Sequence, residues 1–272
     1  MFNVVHKHTF TGSLFLLEIS IPAIAEKARP GQYVDIHLNP DSSVITLPIV
    51  LANPKTGTIT VVERGHDLPS ERLMMLQEGD SVFQIRGPLG SAMAEDTPSR
   101  VVLAAEGLGV ASLLWRARTY KDRGAYTICV IGFASRSQMF WDSEIAEVSD
   151  ELYVATEDGT YGVSGKIIGP VRAVCETHKD IDRMVVIGQL STMKRAVKIA
   201  TDQGIHVRMS FDGVHQAGPT AAIFDEPDSA QSTFEFARAA ELRASDVDFD
   251  KLLARERALR TKAQSADASP PS

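Results

Sequence analysis

Apolar and polar positions alternate over short distances through residues 1–97. Ser13 to Ile21 (SLFLLEISI) is rich in large apolar and β-branched residues, and Tyr33 to Leu38 (YVDIHL) alternates. Ile45 to Leu51 is apolar, and Thr58 to Glu63 (TITVVE) and Ser81 to Arg86 (SVFQIR) are strand-like. Turns rich in Gly and Pro separate these runs at Ala28–Gln32, Asn53–Gly57 and Glu78–Asp80. Short strands so punctuated predict a small antiparallel β-barrel, interrupted by one helix over Ser70–Leu76.

The pattern changes after Asp96-Thr97-Pro98-Ser99. Buried-type strands over Arg100–Ala105, Tyr126–Phe133, Glu151–Ala155, Arg183–Gly188 and His206–Ser210 alternate with helical stretches. The helices are expected over Val110–Asp122, Gln138–Val148, Lys166–Cys175 and Ser191–Gln203. Such alternation predicts an α/β unit, a parallel sheet with crossover helices. Asp212–Ser232 reads as loop. Asp250–Gln264 reads as a charged helix with apolar residues at Leu252, Leu253, Leu259 and Ala263. The expected division is therefore a barrel over 1–97, an α/β domain over 98–210, an extension over 211–264, and a disordered tail over 265–272.

Composition narrows the class. The 272 residues are 44% hydrophobic and 23% charged, as in a globular protein. Lys plus Arg is 28 against 35 Asp plus Glu, a net charge of -7, which argues against nucleic acid as partner. No run approaches the roughly 18 apolar residues of a membrane span. The first apolar stretches are broken by His6, Lys7, His8 and Glu18, so no signal peptide is read and a cytoplasmic protein is expected. Two cysteines exclude a disulfide framework and an all-cysteine cluster made by this chain alone. His6 and His8 share a strand face without a third ligand and read as a surface pair. No Ser-His-Asp or G-x-S-x-G arrangement is present.

Six stretches carry more chemistry: ARPGQYVDI (Ala28–Ile36), GTITVV (Gly57–Val62), EGDSVFQIRGPLG (Glu78–Gly90), EGLGVAS (Glu106–Ser112), TEDGTYGVSGKI (Thr156–Ile167) and IGQLSTMKRAV (Ile187–Val197). In this order and spacing the chain resembles ferredoxin-reductase-type flavoproteins. More narrowly, it is similar to the dihydroorotate dehydrogenase electron-transfer subunit and to the small subunit of NADH-dependent reduced-ferredoxin:NADP oxidoreductase. The resemblance runs from about residue 3 to residue 262. It implies electron transfer between a nicotinamide and a partner subunit through FAD and, in relatives, a [2Fe–2S] cluster.

The resemblance places the flavin on Thr46, Leu47, Pro48, Ser70, Gly87, Pro88, Leu89 and Gly90. The family's Arg-x-Pro-Leu-Ser/Thr motif falls on Val44–Pro48, where Val44 replaces the arginine and Pro48 the hydroxyl. The family's phosphate loop reads Asp67-Leu68-Pro69-Ser70, with a carboxylate that would repel phosphate; Arg64 or Arg72 could replace the lost cation. The nicotinamide falls on Gly107, Gly109, Asp158, Gly159 and Thr160. Glu106 stands where relatives carry glycine, and Ser112 replaces a proline. Arg136 lies where relatives use basic residues to select NAD or NADP. The cluster cysteines are replaced by Ala217, Thr220 and Phe236; Asp212 remains, while Cys129 and Cys175 lie elsewhere and read as structural.

The leading expectation is an electron-transfer subunit of a multi-subunit oxidoreductase. It would use FAD and NAD(P)H, carry no [2Fe–2S] cluster, and dock on one or more protein subunits. The alternative is a non-catalytic scaffold or regulatory subunit that has lost its cofactors, favoured by Val44, Pro48, Glu106 and the missing cysteines. No catalytic residue is assigned. The Asp250–Gln264 helix either docks on the partner or packs on its own chain.

Overall fold

The computed structural model describes residues 2–210 and 242–267. The first part holds strands β1 (Phe2–Thr9), β2 (Leu14–Ser20), β3 (Tyr33–His37), β4 (Ile45–Pro48), β5 (Leu51–Asn53), β6 (Thr58–Arg64), β7 (Ser81–Val82) and β8 (Gln84–Leu89). Two helices, α1 (Pro22–Ala25) and α2 (Leu68–Met75), interrupt them. The expected antiparallel strands are present, but their hydrogen bonding forms two sheets rather than one closed barrel. One runs β5-β6-β2-β1-β7 and the other β4-β3-β8. The chain changes sheet at Ile49-Val50: the Ile49 N–H donates to Gln32 O (2.9 Å) and the Val50 N–H to Thr60 O (2.9 Å). Both side chains are buried, Ile49 in the core between the sheets and Val50 in the core shared with α3.

The second part alternates β9 (Arg100–Glu106), α3 (Gly109–Asp122), β10 (Tyr126–Phe133), α4 (Asp142–Glu147), β11 (Glu151–Thr156), β12 (Val163–Ser164), α5 (Ile168–Thr177), β13 (Arg183–Ile187), α6 (Leu190–Asp202) and β14 (His206–Ser210). After the undescribed stretch come β15 (Leu242–Arg243) and α7 (Phe249–Asp267). The sheet order is β12-β11-β10-β9-β13-β14-β15, parallel except for β15. Val101–Ala105 and Thr127–Phe133 are buried throughout, as expected of strands covered on both faces.

One face packs on α5 and α6 through Val171, Val174, Met193 and Ala196, and Phe249 at the start of α7 joins this core. The opposite face packs on α3, where Val110, Leu113 and Leu114 meet Leu14, Val50 and Val62 of the N-terminal sheets. An apolar seam thus fixes the N-terminal part against the parallel sheet.

Two expected elements differ. The helix expected over Gln138–Val148 is a single 3-10 turn at Arg136–Gln138 followed by the short α4. Trp141 takes a left-handed backbone (φ 58°) between them, and Phe140 is buried against Phe10 and Phe133. This aromatic cluster overrides the helical spacing. At the other end α7 continues to Asp267, beyond Gln264 and into the expected tail. Asp212, Ala217, Thr220 and Phe236 lie outside the described residues.

Candidate nucleotide crevice and flavin face

The parallel sheet begins at β9 and winds outward in both directions, to β10 on one side and β13 on the other. The carboxyl ends of β9 and β13 therefore form a topological switch point, where open α/β sheets bind ligands. Each strand there feeds a helix. Gly107 turns the chain with φ 57°, and its N–H donates to Gly132 O (2.8 Å). Gly109 opens α3 against β13; a Cβ there would lie 2.9 Å from Ile187 Cγ2. Neither α3 nor α6 has a side-chain N-cap hydrogen bond. Both present N-terminal amides, with their partial positive charge, to the crevice.

Glu106 closes the end of β9 and lies between those two helix starts. A Cβ at Gly188, which ends β13, would stand 2.8 Å from Glu106 Cγ. Burial pushes the Glu106 carboxyl up; the Thr192 side chain, Lys166 and the Gln189 backbone oppose that. One carboxylate oxygen, Oε1, is buried with no hydrogen-bond partner among the described residues.

The loop after β11 completes the rim. The Thr160 N–H and hydroxyl both donate to Asp158 Oδ1 (3.0 and 2.6 Å). The Thr160 hydroxyl accepts in turn from the Arg136 N–H at the end of β10 (2.9 Å). The Thr160 hydroxyl holds the Asp158 carboxyl below its ordinary value. Gly159 (φ 73°) and Gly162 (φ 64°) supply conformations that favour glycine. The Arg136 guanidinium lies over the Tyr161 ring, 5.3 Å from its centroid. Gly107, Gly109, Asp158, Gly159 and Thr160 thus share the carboxyl edge of the sheet, with Arg136 beside them.

The expected flavin residues separate into different environments. Thr46 is exposed on β4, and its hydroxyl donates to Asp35 Oδ1 (2.7 Å). Asp35 also pairs with Arg86 of β8 (3.1 Å), so a polar row crosses β4, β3 and β8. Leu47 is fully buried in the core between the sheets. Pro48 is half-buried opposite Tyr33. Val44, where relatives carry arginine, is 44% exposed. Gly87-Pro88-Leu89 ends β8, pairing with Tyr33 after a register shift, with a cis Gly87–Pro88 bond, and Gly90 follows at φ 76°. A Cβ at Gly87 would stand 2.7 Å from Val34 Cγ1, and Gly90 O accepts from Gln32 Nε2 (3.0 Å).

Ser70 is buried in the first turn of α2 and belongs to a capping box. Asp67 Oδ1 accepts from the Ser70 N–H (2.9 Å) and hydroxyl (2.5 Å), and Ser70 Oγ accepts from the Asp67 N–H (3.2 Å). Burial pulls the Asp67 carboxyl up, but the Ser70 hydrogen bonds outweigh it and hold it below its ordinary value. The α2 N-terminus therefore carries its own anion. Beneath it, Glu63 at the end of β6 is buried, and desolvation pushes its carboxyl up to about 8. His66 stands between the two, 3.9 Å from Glu63 and 3.6 Å from Asp67. Sequence reasoning missed Glu63 and the Asp35–Arg86 pair. Glu63 was signalled by an acid directly after the apolar run Ile59–Val62.

Neither cysteine offers a thiolate. Burial pushes Cys129 on β10 up to about 12 and Cys175 on α5 up to about 11. His6 pairs with Glu78 (2.9 Å), and the described residues include no group of three or more His, Cys, Asp and Glu placed to hold a metal. No described helix is long and apolar enough to cross a membrane.

No protein-family model matches the chain. It is 27% identical over 258 residues to a homologue of the dihydroorotate dehydrogenase B (NAD+) electron transfer subunit from Thermotoga maritima, covering 93% of this chain and 89% of that protein. It is 29% identical over 171 residues to the dihydroorotate dehydrogenase B (NAD+) electron transfer subunit of Geobacillus thermodenitrificans, covering 61% of this chain and 66% of that protein. Among solved structures, an NADH-dependent reduced ferredoxin-NADP oxidoreductase chain studied for flavin-based electron bifurcation superposes with a TM-score of 0.80, at 24% identity and 98% coverage of both chains. The chain has the ferredoxin-reductase-type fold, and in sequence it is similar to the dihydroorotate dehydrogenase electron-transfer subunits.

Proposed function

We propose that this chain is an electron-transfer subunit of a multi-subunit oxidoreductase, working between NAD(P)H and a partner subunit through FAD and without a [2Fe–2S] cluster of its own. The observation that carries the reading is the switch-point crevice. Two helices open there without side-chain caps, α3 on the glycines Gly107 and Gly109, beside the ordered Asp158–Thr160 loop. Gly107, Gly109 and Gly188 would take a dinucleotide's pyrophosphate, and Arg136 would stand near its adenosine half. Sequence similarity to electron-transfer subunits over nearly the whole chain supports the partnered role. The absence of a cluster follows from the chain's two cysteines, both buried and protonated. Two unpaired cysteines also suit a reducing, cytoplasmic setting. We place the boundary between the flavin-type and nucleotide-type parts at residues 97 and 98.

The flavin's phosphates do not fit the α2 N-terminus as it stands, because Asp67 already satisfies the Ser70 amide and adds negative charge. Arg86, the cation on the same sheet as Thr46, is committed to Asp35. A scaffold that has lost its cofactors is therefore the second reading. Carboxylates at both phosphate positions, Asp67 and Glu106, favour it.

A visible spectrum of the purified chain, with extraction and identification of any flavin, tests the choice. Flavin bands without an iron–sulfur shoulder, bleached by NADH or NADPH, support the first reading. A folded, colourless protein that stays colourless after incubation with FAD refutes it and leaves the scaffold.

A further inference from the structure

Among the described residues, Glu106 is the acidic side chain placed between the starts of α3 and α6. We propose that it gates the dinucleotide crevice: its carboxylate stands where a pyrophosphate would bind, and nucleotide enters when Glu106 is in its neutral form. This rests on the dinucleotide reading above and adds the condition under which that site is open.

The geometry makes Glu106 an occupant of the crevice rather than a bystander. Its Cγ lies over Gly188, at a separation of 2.8 Å from where a Cβ would be. Its Cβ lies 3.7 Å from the corresponding position at Gly132. Gly188, which would let a ligand approach the end of β13, is thus covered by the Glu106 side chain, whereas Gly132 is covered first by Ile167. The carboxylate faces Thr192 and the Gln189 backbone, the groups a phosphate would use at the start of α6. Its second oxygen is a buried acceptor with no donor among the described residues, an unfavourable place for an anion. Protonation relieves that defect and converts the repelling group into a donor toward a phosphate oxygen.

Among the described residues, two charged groups face Glu106. Lys166, between β12 and α5, favours the anion; Glu157, after β11, opposes it. The two stand 3.7 Å apart and partly cancel. The first turns of α3 and α6 carry no acidic residue. Burial raises the Glu106 carboxyl above its ordinary range, so the neutral form is accessible under milder conditions than for an exposed glutamate.

The test is nucleotide binding by the full-length chain, read by nucleotide fluorescence or calorimetry, with NADH and NADPH as probes from pH 5 to pH 9. For the unaltered chain, Kd should be flat below the Glu106 pKa and rise by up to tenfold per pH unit above it. Glu106→Gln, which keeps the shape and fixes the neutral form, should remove that slope and bind at least about tenfold more tightly at the alkaline end. Glu106→Gly, which empties the crevice, should bind independently of pH. Thermal melts confirm that each variant is folded. Equal affinity and equal slope in the unaltered chain and Glu106→Gln would overturn the gate while leaving the nucleotide site intact. Failure of all three proteins to bind either nucleotide at any pH would overturn the dinucleotide reading and the gate together.

Discussion

Glu63→Gln isolates a carboxyl whose burial the fold tolerates at a cost that depends on pH. Glu63, the next-to-last residue of β6, lies opposite Phe15 of β2, with 2% of its surface exposed. Desolvation raises it from 4.5 to about 8; Asp67 adds to the rise, while the Arg64 N–H, donating to Oε1 at 2.6 Å, and the Arg64 charge oppose it. Below pH 4.5 the folded and unfolded chains both hold the proton, and Glu63 makes stability no different. Between pH 4.5 and about 8 the unfolded chain releases it and the folded chain keeps it, so stability falls as pH rises. Above about 8 the loss is complete. At about 1.4 kcal/mol per pH unit, the displacement amounts to a loss on the order of 5 kcal/mol. Gln keeps an acceptor for Arg64 and a donor in place of the acid O–H, but cannot ionise. Urea denaturation at pH 5, 7 and 9 should therefore show the variant pulling ahead of the unaltered chain as pH rises, by several kcal/mol at pH 9. Curves that stay parallel, within about 1 kcal/mol across that range, would refute the assignment of Glu63 as a buried, neutral acid.

Asp67→Ala removes the α2 cap and should lower stability by about 1 kcal/mol, while Asp67→Asn, which keeps the acceptor, should cost only a few tenths; urea midpoints decide. Gly162→Ala should destabilise by about 2–4 kcal/mol, because its φ of 64° disfavours a side chain and a Cβ would collide with Val154 O, a loss read directly as a drop in Tm. Iron analysis of the purified chain should find no stoichiometric metal, and two irons per chain would refute the reading of Cys129 and Cys175 as structural.

The parallel half was legible because its strands are covered on both faces. Tyr126–Phe133 and His206–Ser210 match their apolar runs residue for residue, and the other inner strands differ only at their ends. Residues 1–97 gave up less. A strand with one solvated face breaks where local geometry demands, so Ile45–Leu51 proved to be two strands in different sheets, joined at the Ile49-Val50 corner. The Trp141 turn was hidden because it depends on Phe10, distant in sequence. Among the expected site residues, Gly107, Gly109 and the Asp158–Thr160 loop share the carboxyl edge of the sheet, where backbone conformation restricts residue type. Leu47 instead lies in a core and Ser70 in a helix cap. Motif spacing fixes a place along the chain, whereas burial in a core or use in a cap is decided by tertiary packing.

Asp67 and Glu106 put carboxylates at the two positions where the proposed reading would seat phosphates, but by different physics. Asp67 is half-exposed, and two donations from Ser70 hold it below its ordinary range, so it remains an anion through neutral and mildly acidic pH. Glu106 lies deeper, has an oxygen without a donor among the described residues, and is raised rather than lowered. A phosphate approaching α2 therefore meets a charge that pH in the working range does not remove. One approaching the β9–β13 crevice meets a charge that one proton abolishes. The same contrast separates the two readings of the molecule. A degenerate scaffold has no need for the rest of the nucleotide crevice to stay ordered. Here Thr160 still ties Asp158 to the Arg136 backbone, and Gly109 still lets α3 close on β13. On the proposed reading, a fixed anion at α2 and a neutralisable one at the crevice place the greater electrostatic obstacle at the flavin end and the smaller at the nucleotide end.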